Sequence, residues 1–225
     1  KTESPGWFAY YHRLAAKSMI LAVDYITAEE CLKRSLDIYE NLGDLLGKAN
    51  VYITYGELYR KKGLMDQCAT YLADALNILN SFNEQLQTSN FISYQTSYDA
   101  ATEAVGRMLV NMKLFDEGND IMSKLLDRKK VSSNKTDLTR ILQNLGAANC
   151  YSDPDKALVY LKEAQGYAIS TENHYAYAAI LSNMGLCHET KGEYNNAIRL
   201  YKESYEIMTK YGFTNHYPYV LNNLA

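Results

Sequence analysis

A nine-residue pattern recurs along the 225-residue chain at intervals of 40, 50, 40, 39 and 40 residues, and this repeat restricts the possible folds more than any other feature. Each of the five complete copies carries a small residue at its second position, and a sixth copy begins at the last two residues. The small residues are Ala16, Gly56, Gly106, Gly146 and Gly185. Because a repeat of this length is one supersecondary unit, the pattern predicts a stack of similar units.

Each copy also contains a second small residue, which follows the first after 12 residues, or after 11 in the fourth copy. A large apolar residue follows four residues later, on the same face of a helix. Two small residues let the backbones of paired helices approach closely, and the large residue fills the space beside the contact. The small and large residues of successive copies are Ala28 and Leu32, Cys68 and Leu72, Gly118 and Met122, Ala157 and Leu161, and Ala197 and Tyr201.

This pattern resembles the tetratricopeptide repeat (TPR), whose signature has Leu-Gly-x-x-Tyr on the first helix and Ala, Phe/Tyr and Ala on the second. The resemblance implies an all-α fold, a right-handed α-solenoid of antiparallel helix pairs. The period of about 40 residues, against 34 in the ordinary repeat, resembles that of kinesin light chains, of Pins/LGN adaptors and of Rap/PlcR-type regulators. In these families the concave groove binds a peptide or a partner helix. The second copy matches best, through Tyr52, Tyr55, Gly56, Tyr59, Gly63, Cys68, Leu72 and Ala75.

The repeats indicate a single repeat domain over residues 1–225, with five helix pairs and the first helix of a truncated sixth. The 50-residue interval places a polar insertion near residues 81–90, which we interpret as a loop. Because the chain begins at Lys1 without a methionine, we expect it to be a piece of a longer protein. Helices are predicted over residues 5–23, 25–41, 44–62, 65–81, 91–113, 115–130, 135–151, 154–171, 174–191, 194–211 and from 215 onward.

Charge and motif content exclude several classes of function. The net charge of −3 argues against a generally basic nucleic-acid binder. No apolar run approaches the ~20 residues that span a bilayer, so no membrane partner is expected. His188-Glu189 is not followed by a second histidine at zinc-helix spacing, and no phosphate loop or nucleophile elbow is present. We therefore expect no catalysis and no cofactor, and we expect His188 to be a hydrogen-bonded interhelix residue.

The four cysteines stand at separations of 37, 82 and 37 residues, which match no metal-ligand or redox motif. We interpret them as small buried hydrophobic residues rather than as disulfides. This use of cysteine favours a reducing compartment and hence a cytoplasmic location. The cysteines are Cys31, Cys68, Cys150 and Cys187.

In the resembled families the first helix of each pair lines the groove. The corresponding positions here hold six cations and three acids, so the groove is net +3 on a chain that is net −3. This balance predicts a partner of acidic character. The alternative for Arg60 and Lys61 is that they only complement the macrodipole at a helix end. The six cations are Arg13, Lys17, Arg60, Lys61, Arg107 and Arg140, and the three acids are Glu57, Glu103 and Glu189.

Four asparagines also fall on groove positions, where an amide can hold the backbone of an extended peptide. The alternative is a bond to the backbone of a neighbouring helix. These asparagines are Asn50, Asn144, Asn183 and Asn223. The carboxylate clamp of chaperone-binding TPRs is not present as such, since its positions hold Arg13, Lys17, Thr54, Glu103 and Arg107.

Tyrosine is abundant, with 21 residues. Four tyrosines fall on packing positions between helices, where we expect core spacers whose hydroxyl reaches solvent. Three others fall on groove positions and are candidates for ligand contact. The packing set is Tyr25, Tyr59, Tyr194 and Tyr201, and the groove set is Tyr10, Tyr151 and Tyr219.

The sequence therefore predicts a non-catalytic scaffold that binds a peptide or helix of a partner protein in its concave groove. The alternative is a peptide-sensing regulatory segment of a larger signalling or transcription-regulating protein. The truncated last helix exposes apolar residues, which predicts further repeats or self-association. These residues are Tyr219, Val220, Leu221 and Leu224.

Overall fold

Ten helices account for nearly all of the described residues of the computed structural model, which are 5–86, 92–132 and 134–213, and no strand occurs among them. Their order is α1 (Pro5–Leu21), α2 (Tyr25–Leu42), α3 (Leu45–Lys61), α4 (Met65–Leu86), α5 (Ile92–Asn111), α6 (Phe115–Ser132), α7 (Lys135–Asn149), α8 (Pro154–Ser170), α9 (His174–Thr190) and α10 (Tyr194–Tyr211). The all-α prediction is confirmed.

Nearly every predicted helix end lies within two residues of the observed one. The exception is α4, which continues to Leu86 instead of ending at residue 81. The loop prediction for the 50-residue interval is therefore wrong for residues 81–86, which add more than a turn to this helix. The polar composition of that stretch is compatible with a helix end as well as with a loop, so composition alone did not separate the two. The truncated sixth copy lies outside the described residues.

The chain divides into two compact units, Lys1–Met112 (unit 1) and Lys113–Ala225 (unit 2). In unit 1, α1 packs on α2 and α3 packs on α4, while the first helices α1, α3 and α5 contact one another in sequence. In unit 2, α7 packs on α8 and α9 packs on α10, and the first helix α7 also contacts α9. The helix pairs and the adjacency of first helices follow the predicted repeat in each unit.

The predicted close contacts between paired helices are present. A Cβ atom added to Gly185 would lie 2.6 Å from the ring of Tyr201, and one added to Gly56 would lie 3.2 Å from Leu72. The large second-helix residues are all buried, and the residues three positions after them are buried as well. Small first-helix residues are therefore required by packing rather than by backbone flexibility.

Two serines at equivalent repeat positions fasten the first and last pairs in the same way. The Ser35 hydroxyl donates to the main-chain oxygen of Ala9 at 2.7 Å, and the Ser204 hydroxyl donates to that of Ala178 at 2.7 Å. Both serines are fully buried, so these bonds satisfy hydroxyls that would otherwise be costly to bury.

The turn inside a helix pair has a common backbone conformation in four copies. The residue seven positions after the first small residue has a positive φ in each: Val23 (64°), Gly63 (77°), Lys113 (66°) and Gly192 (77°). In the fourth copy, one residue shorter, Asp153 instead caps α8 by accepting from the Lys156 N–H at 3.0 Å. Glycine adopts the left-handed conformation without a steric penalty, whereas valine and lysine do not.

Candidate functional site

Three of the predicted groove cations come together on the first helices of unit 1. Lys17 on α1 lies within electrostatic range of Arg13 on the same helix, of Glu57 on α3 and of Arg107 on α5. Among the described residues none of the three cations forms an ion pair. We call Arg13, Lys17, Glu57 and Arg107 the unit 1 cluster. It holds three positive charges against one negative charge.

The environment of this cluster disfavours the charged forms of two of its cations, Lys17 and Arg13. Burial lowers the pKa of Lys17, and the neighbouring charges of Arg13 and Arg107 lower it further, while Glu57 acts in the opposite direction. Burial also lowers the pKa of Arg13, whose guanidinium lies 5.6 Å from the centroid of the Tyr10 ring. The buried Nε of Arg13 has no hydrogen-bond partner among the described residues. An anion placed here would reduce this repulsion and supply a missing acceptor.

Arg60 and Lys61 lie at the carboxyl end of α3 and outside this cluster. Arg60 is half-buried, and its charge acts on the thiol of Cys68, whose pKa is nevertheless raised by burial. Lys61 is exposed, and its main-chain oxygen accepts a hydrogen bond from the hydroxyl of Tyr25 at 3.4 Å. The position of both residues in the last turn of α3 agrees with the helix-end alternative.

Helix α5 carries two acids, Glu103 and Asp99, and the count of groove charges from the sequence included only Glu103. Glu103 was counted as a groove acid, yet it is only 6% exposed. Asp99, which the count omitted, is 4% exposed and accepts a hydrogen bond from the amide of Gln95 at 2.9 Å. Both carboxylates are thus held inside unit 1 by contacts of their own. The repeat offsets could not show that Glu103 is buried.

Arg140, the sixth predicted cation, is on α7 in unit 2 and is paired. Its guanidinium donates to Asp137 at 3.0 Å, one turn earlier on the same helix. The carboxylate of Asp137 also forms an ion pair with Lys129 of α6, with 3.3 Å between Nζ and Oδ2. The sequence count omitted Asp137 because it lies beyond the groove offsets, although an i, i+3 pair of opposite charges on a helix is a recognisable signal.

The asparagines differ in the hydrogen bonds they form. The amide of Asn50 donates to the main-chain oxygen of Leu46 in its own helix at 3.0 Å, so one donor is already used. Asn144 is half-buried and has a polar contact within the protein. The half-buried side chain of Asn183 forms no hydrogen bond with the described part of the chain, which leaves its donors and acceptor open. Asn223 lies outside the described residues.

The tyrosines predicted at packing positions between helices follow the prediction only in part. Tyr59 and Tyr201 are buried and their hydroxyls donate to Glu29 and Glu189 at 2.8 Å each, as expected for core spacers with polar tips. Tyr194 is 65% exposed, so its assignment to the core is wrong. Tyr194 is the first residue of α10.

Tyr10 and Tyr151, from the groove set, are both exposed, while Tyr219 lies outside the described residues. Thr54, at a clamp position, is fully buried, and its hydroxyl donates to the main-chain oxygen of Asn50 at 2.9 Å. It therefore offers nothing to a carboxylate, as expected from the absence of the clamp.

His188 forms the polar contact expected of it. Its Nδ1 lies 2.7 Å from a carboxylate oxygen of Glu193, the residue before α10, and this bond is the main reason why the pKa of Glu193 falls from 4.5 to about 2. The histidine thus links the end of α9 to the start of α10. In the described ranges, no group of three His, Cys, Asp or Glu residues could hold a metal ion. No helix in the described part of the chain is long and apolar enough to cross a membrane.

Sequence reasoning missed a reciprocal amide pair in unit 2. Asn119 on α6 and Asn149 on α7 donate to each other at 3.1 and 2.9 Å. Asn149 also donates to the main-chain oxygen of Leu145 at 2.7 Å, and the pair borders an open depression of about 720 Å³. Neither asparagine occupies a groove offset, and a helical asparagine carries no pairing signal by itself.

Comparison with known proteins agrees with the repeat geometry. Residues 152–210 match the tetratricopeptide repeat family model. The crystal structure of BtubC (BKLC) from P. vanneervenii is similar with a TM-score of 0.74 and 16% identity, over 92% of this chain and 82% of that one. The fold is that of TPR-like repeats.

Two crystal structures of P. anserina putative kinesin light chain nearly identical TPR-like repeats are also similar. One, a point variant, has a TM-score of 0.72 at 14% identity over 95% of this chain and 100% of that chain. The other has a TM-score of 0.70 at 15% identity over 93% and 98%. The resemblance to kinesin-light-chain-like TPRs is confirmed at the level of fold. No curated protein sequence matches the chain.

TPR repeats are generally non-enzymatic scaffolds that bind protein partners. The described helix pairs of this chain have the fold of such repeats.

Proposed function

We propose that the chain is a non-catalytic scaffold that binds an acidic segment of a partner protein on the first-helix surface of unit 1. The observation that carries this proposal is the unit 1 cluster, in which Arg13, Lys17 and Arg107 face a single acid, Glu57, and form no ion pair within the described part of the chain. A protein stabilises itself by pairing such charges, so an unpaired group of cations has its natural complement in a partner.

The energetic argument is specific to this group. Partial burial and mutual repulsion both disfavour the charged form of Lys17. A carboxylate from the partner would favour the charged form of Lys17. Its two oxygens would also accept hydrogen bonds from the guanidinium groups, whose planar arrangement of N–H donors matches a planar anion. Surface pairs contribute only about 0–1 kcal/mol each, so the cluster supplies attraction and orientation rather than the whole affinity.

The remaining predicted residues take secondary roles in this proposal. Arg60 and Lys61 extend the positive surface of unit 1 along the end of α3. In unit 2, Arg140 forms an ion pair with Asp137. Asn183, whose side-chain amide makes no hydrogen bond with the described residues, is therefore the better candidate for holding a peptide backbone. Asn50, Asn144 and Asn223 stay in the proposal as backbone-binding candidates, and whether the bound segment is extended or helical follows from the partner. The proposed partner is a protein, with no role for nucleic acid, membrane or cofactor, and the proposed location is cytoplasmic. Self-association through the helix predicted from residue 215 onward is a separate proposal, which concerns residues outside the described ranges.

A paired charge-reversal experiment tests the role of the cluster. We expect Lys17→Glu with Arg107→Glu to weaken binding of a fluorescent glutamate-rich peptide about tenfold at low salt and to flatten its salt dependence. The control is Lys33→Glu with Arg34→Glu, which makes the same change in net charge at exposed residues of α2. An equal loss in both variants would mean that only net charge is read, and unchanged binding in the cluster variant would refute the proposal.

A further inference from the structure

Two buried cysteines of unit 2 lie side by side. The sulfur atoms of Cys150 and Cys187 are 2.6 Å apart, and both residues are 0% exposed. Cys150 directly follows α7 and Cys187 lies in the last turns of α9. Because α7 and α9 are first helices of consecutive repeats, this thiol pair links two repeats of unit 2 rather than two turns of one helix.

The other cysteine pair of the chain has the same separation of 37 residues but different surroundings. Cys68 is buried, and its sulfur lies 3.3 Å from the sulfur of Met112, while Cys31 is only half-buried on α2. The repeat period alone therefore does not bring two thiols together. In unit 2 the cysteines occupy first-helix positions, and first helices of consecutive repeats contact each other there.

We propose that Cys150 and Cys187 form a modification site, a dithiol that a low-molecular-mass disulfide oxidises to an intrachain disulfide joining α7 to α9. The thiolate of one cysteine attacks a sulfur of the small disulfide, which releases one small thiol and leaves a mixed disulfide on the protein. The second cysteine, after losing its proton, attacks the protein-bound sulfur and expels the second small thiol. Two protein thiols and one small disulfide thus give one protein disulfide and two small thiols, and the two electrons pass to the small disulfide.

The environment of the pair determines how readily each step takes place. The contact with Cys187 and burial both raise the pKa of Cys150, so few thiolates are present at neutral pH. The first step also needs a local opening, because neither sulfur reaches solvent. The second step is intramolecular between adjacent sulfurs and is fast. The reaction is therefore slow, accelerates as pH rises, and accumulates little mixed disulfide.

The disulfide would join the two helices of unit 2 that carry candidates for a secondary role in the proposed binding. The Cys150 thiol donates to the main-chain oxygen of Asn183 at 3.5 Å, so the site adjoins the asparagine whose amide is open. A bond between α7 and α9 fixes the spacing of the helices that carry Arg140, Asn144 and Asn183. The inference itself does not depend on the proposed function, since it rests on the thiol pair alone.

The experiment uses the full chain incubated with oxidised glutathione at neutral and alkaline pH. We expect the intact mass to fall by two hydrogen atoms, faster at the higher pH. A non-reducing tryptic digest should then contain residues 141–156 linked to residues 163–191, which separate after reduction. The melting temperature of the oxidised chain should rise by about 6–12 °C and return on reduction, because the disulfide closes a loop of this length.

Two variants make the outcome decisive. Cys31→Ala with Cys68→Ala should still lose the two hydrogen atoms, whereas Cys187→Ala should not. Circular dichroism of Cys187→Ala establishes that its loss of reaction is not a loss of fold, and the digest of the unmutated chain gives the answer independently of any variant. Stable glutathione adducts without a linked peptide, a linked peptide containing Cys31 or Cys68, or no mass change at alkaline pH would each overturn the proposal.

Discussion

The first-helix surfaces of the two units are built from the same repeat but manage charge differently. In unit 1, Arg13, Lys17 and Arg107 share one acid and form no ion pair within the described residues. In unit 2, Arg140 is paired with Asp137, which also receives Lys129. The same first-helix position can therefore present an open cation in one repeat and a neutralised one in another. A count of charges at the groove positions does not distinguish these cases, because Asp137 and Lys129 lie outside the counted positions.

The two units also differ in how tightly their paired helices approach. In unit 2, a Cβ on Gly185 would meet the ring of Tyr201, which is buried and held by a hydrogen bond from its hydroxyl to Glu189. In unit 1, a Cβ on Gly56 would meet the flexible ends of Met108 and Leu72 at 3.0 and 3.2 Å. The rigid ring cannot withdraw, whereas the aliphatic ends can shift by a few tenths of an ångström.

The largest expected effect comes from alanine substitutions that exploit this difference. Gly185→Ala should lower the free energy of unfolding by about 1–3 kcal/mol through overpacking against Tyr201. Gly56→Ala should be close to neutral, because the small clash offsets the helix-propensity gain of about 0.5–1 kcal/mol. Urea unfolding followed by circular dichroism measures both.

Gly166 on α8 provides the matched control for this series, since a Cβ atom added to it would have no neighbouring atom within 4 Å. Gly166→Ala should raise the free energy of unfolding by about 0.5–1 kcal/mol. If Gly185→Ala were as stable as Gly166→Ala, the assigned contact between α9 and α10 would be incorrect.

An intermediate effect, opposite in sign between the units, is expected from neutralising one arginine in each. Arg107→Gln should stabilise the chain by about 0.5 kcal/mol, because it removes repulsion that acts on the partly buried Lys17. Arg140→Gln should destabilise it by about 0.3–0.5 kcal/mol, because it breaks the pair with Asp137. Chemical denaturation at low salt gives both values, and high salt should shrink them. Equal signs for the two variants would remove the electrostatic distinction drawn between the units.

The smallest effect concerns acid stability and belongs to unit 2. The pKa of Glu193 is lowered to about 2 chiefly by His188, so its contribution to stability is present above pH 4.5 and is lost as the pH falls towards 2. Glu193→Gln should flatten the fall in melting temperature between pH 4.5 and pH 2. The control Glu206→Gln, at an exposed position of α10, should retain the slope of the unmutated chain. A Glu193→Gln profile that overlays that control would contradict the assigned contact.

Most of the fold was predictable because the repeat encodes it directly. The offsets between Gly185, Ala197 and Tyr201 specify a contact between two helices, and the structure contains that contact. The continuation of α4 to Leu86 was not predictable, because polar residues suit both a loop and a helix end. Tyr194 was misassigned because the repeat offset gives a position on the helix but not the exposure of the side chain at the helix start.

The candidate site was predictable only in part, since its properties depend on contacts between repeats. The sequence predicted Arg13, Lys17 and Arg107 on one surface, and the structure places Arg13 and Arg107 within electrostatic range of Lys17. Burial of Glu103, pairing of Arg140 and the meeting of Cys150 with Cys187 arise from neighbouring helices that no single-repeat pattern describes.

The left-handed turn residues have a consequence for the order in which helix hairpins assemble. Gly63 and Gly192 accept this conformation freely, whereas Val23 and Lys113 bear a steric penalty of about 1–2 kcal/mol at the same repeat position. The hairpins α3–α4 and α9–α10 can therefore close on local preference alone. The α1–α2 hairpin closes only once burial of its helices outweighs the strain at Val23. Each unit thus contains at least one hairpin whose turn is free of this strain and is suited to nucleate folding, onto which its neighbours can then condense.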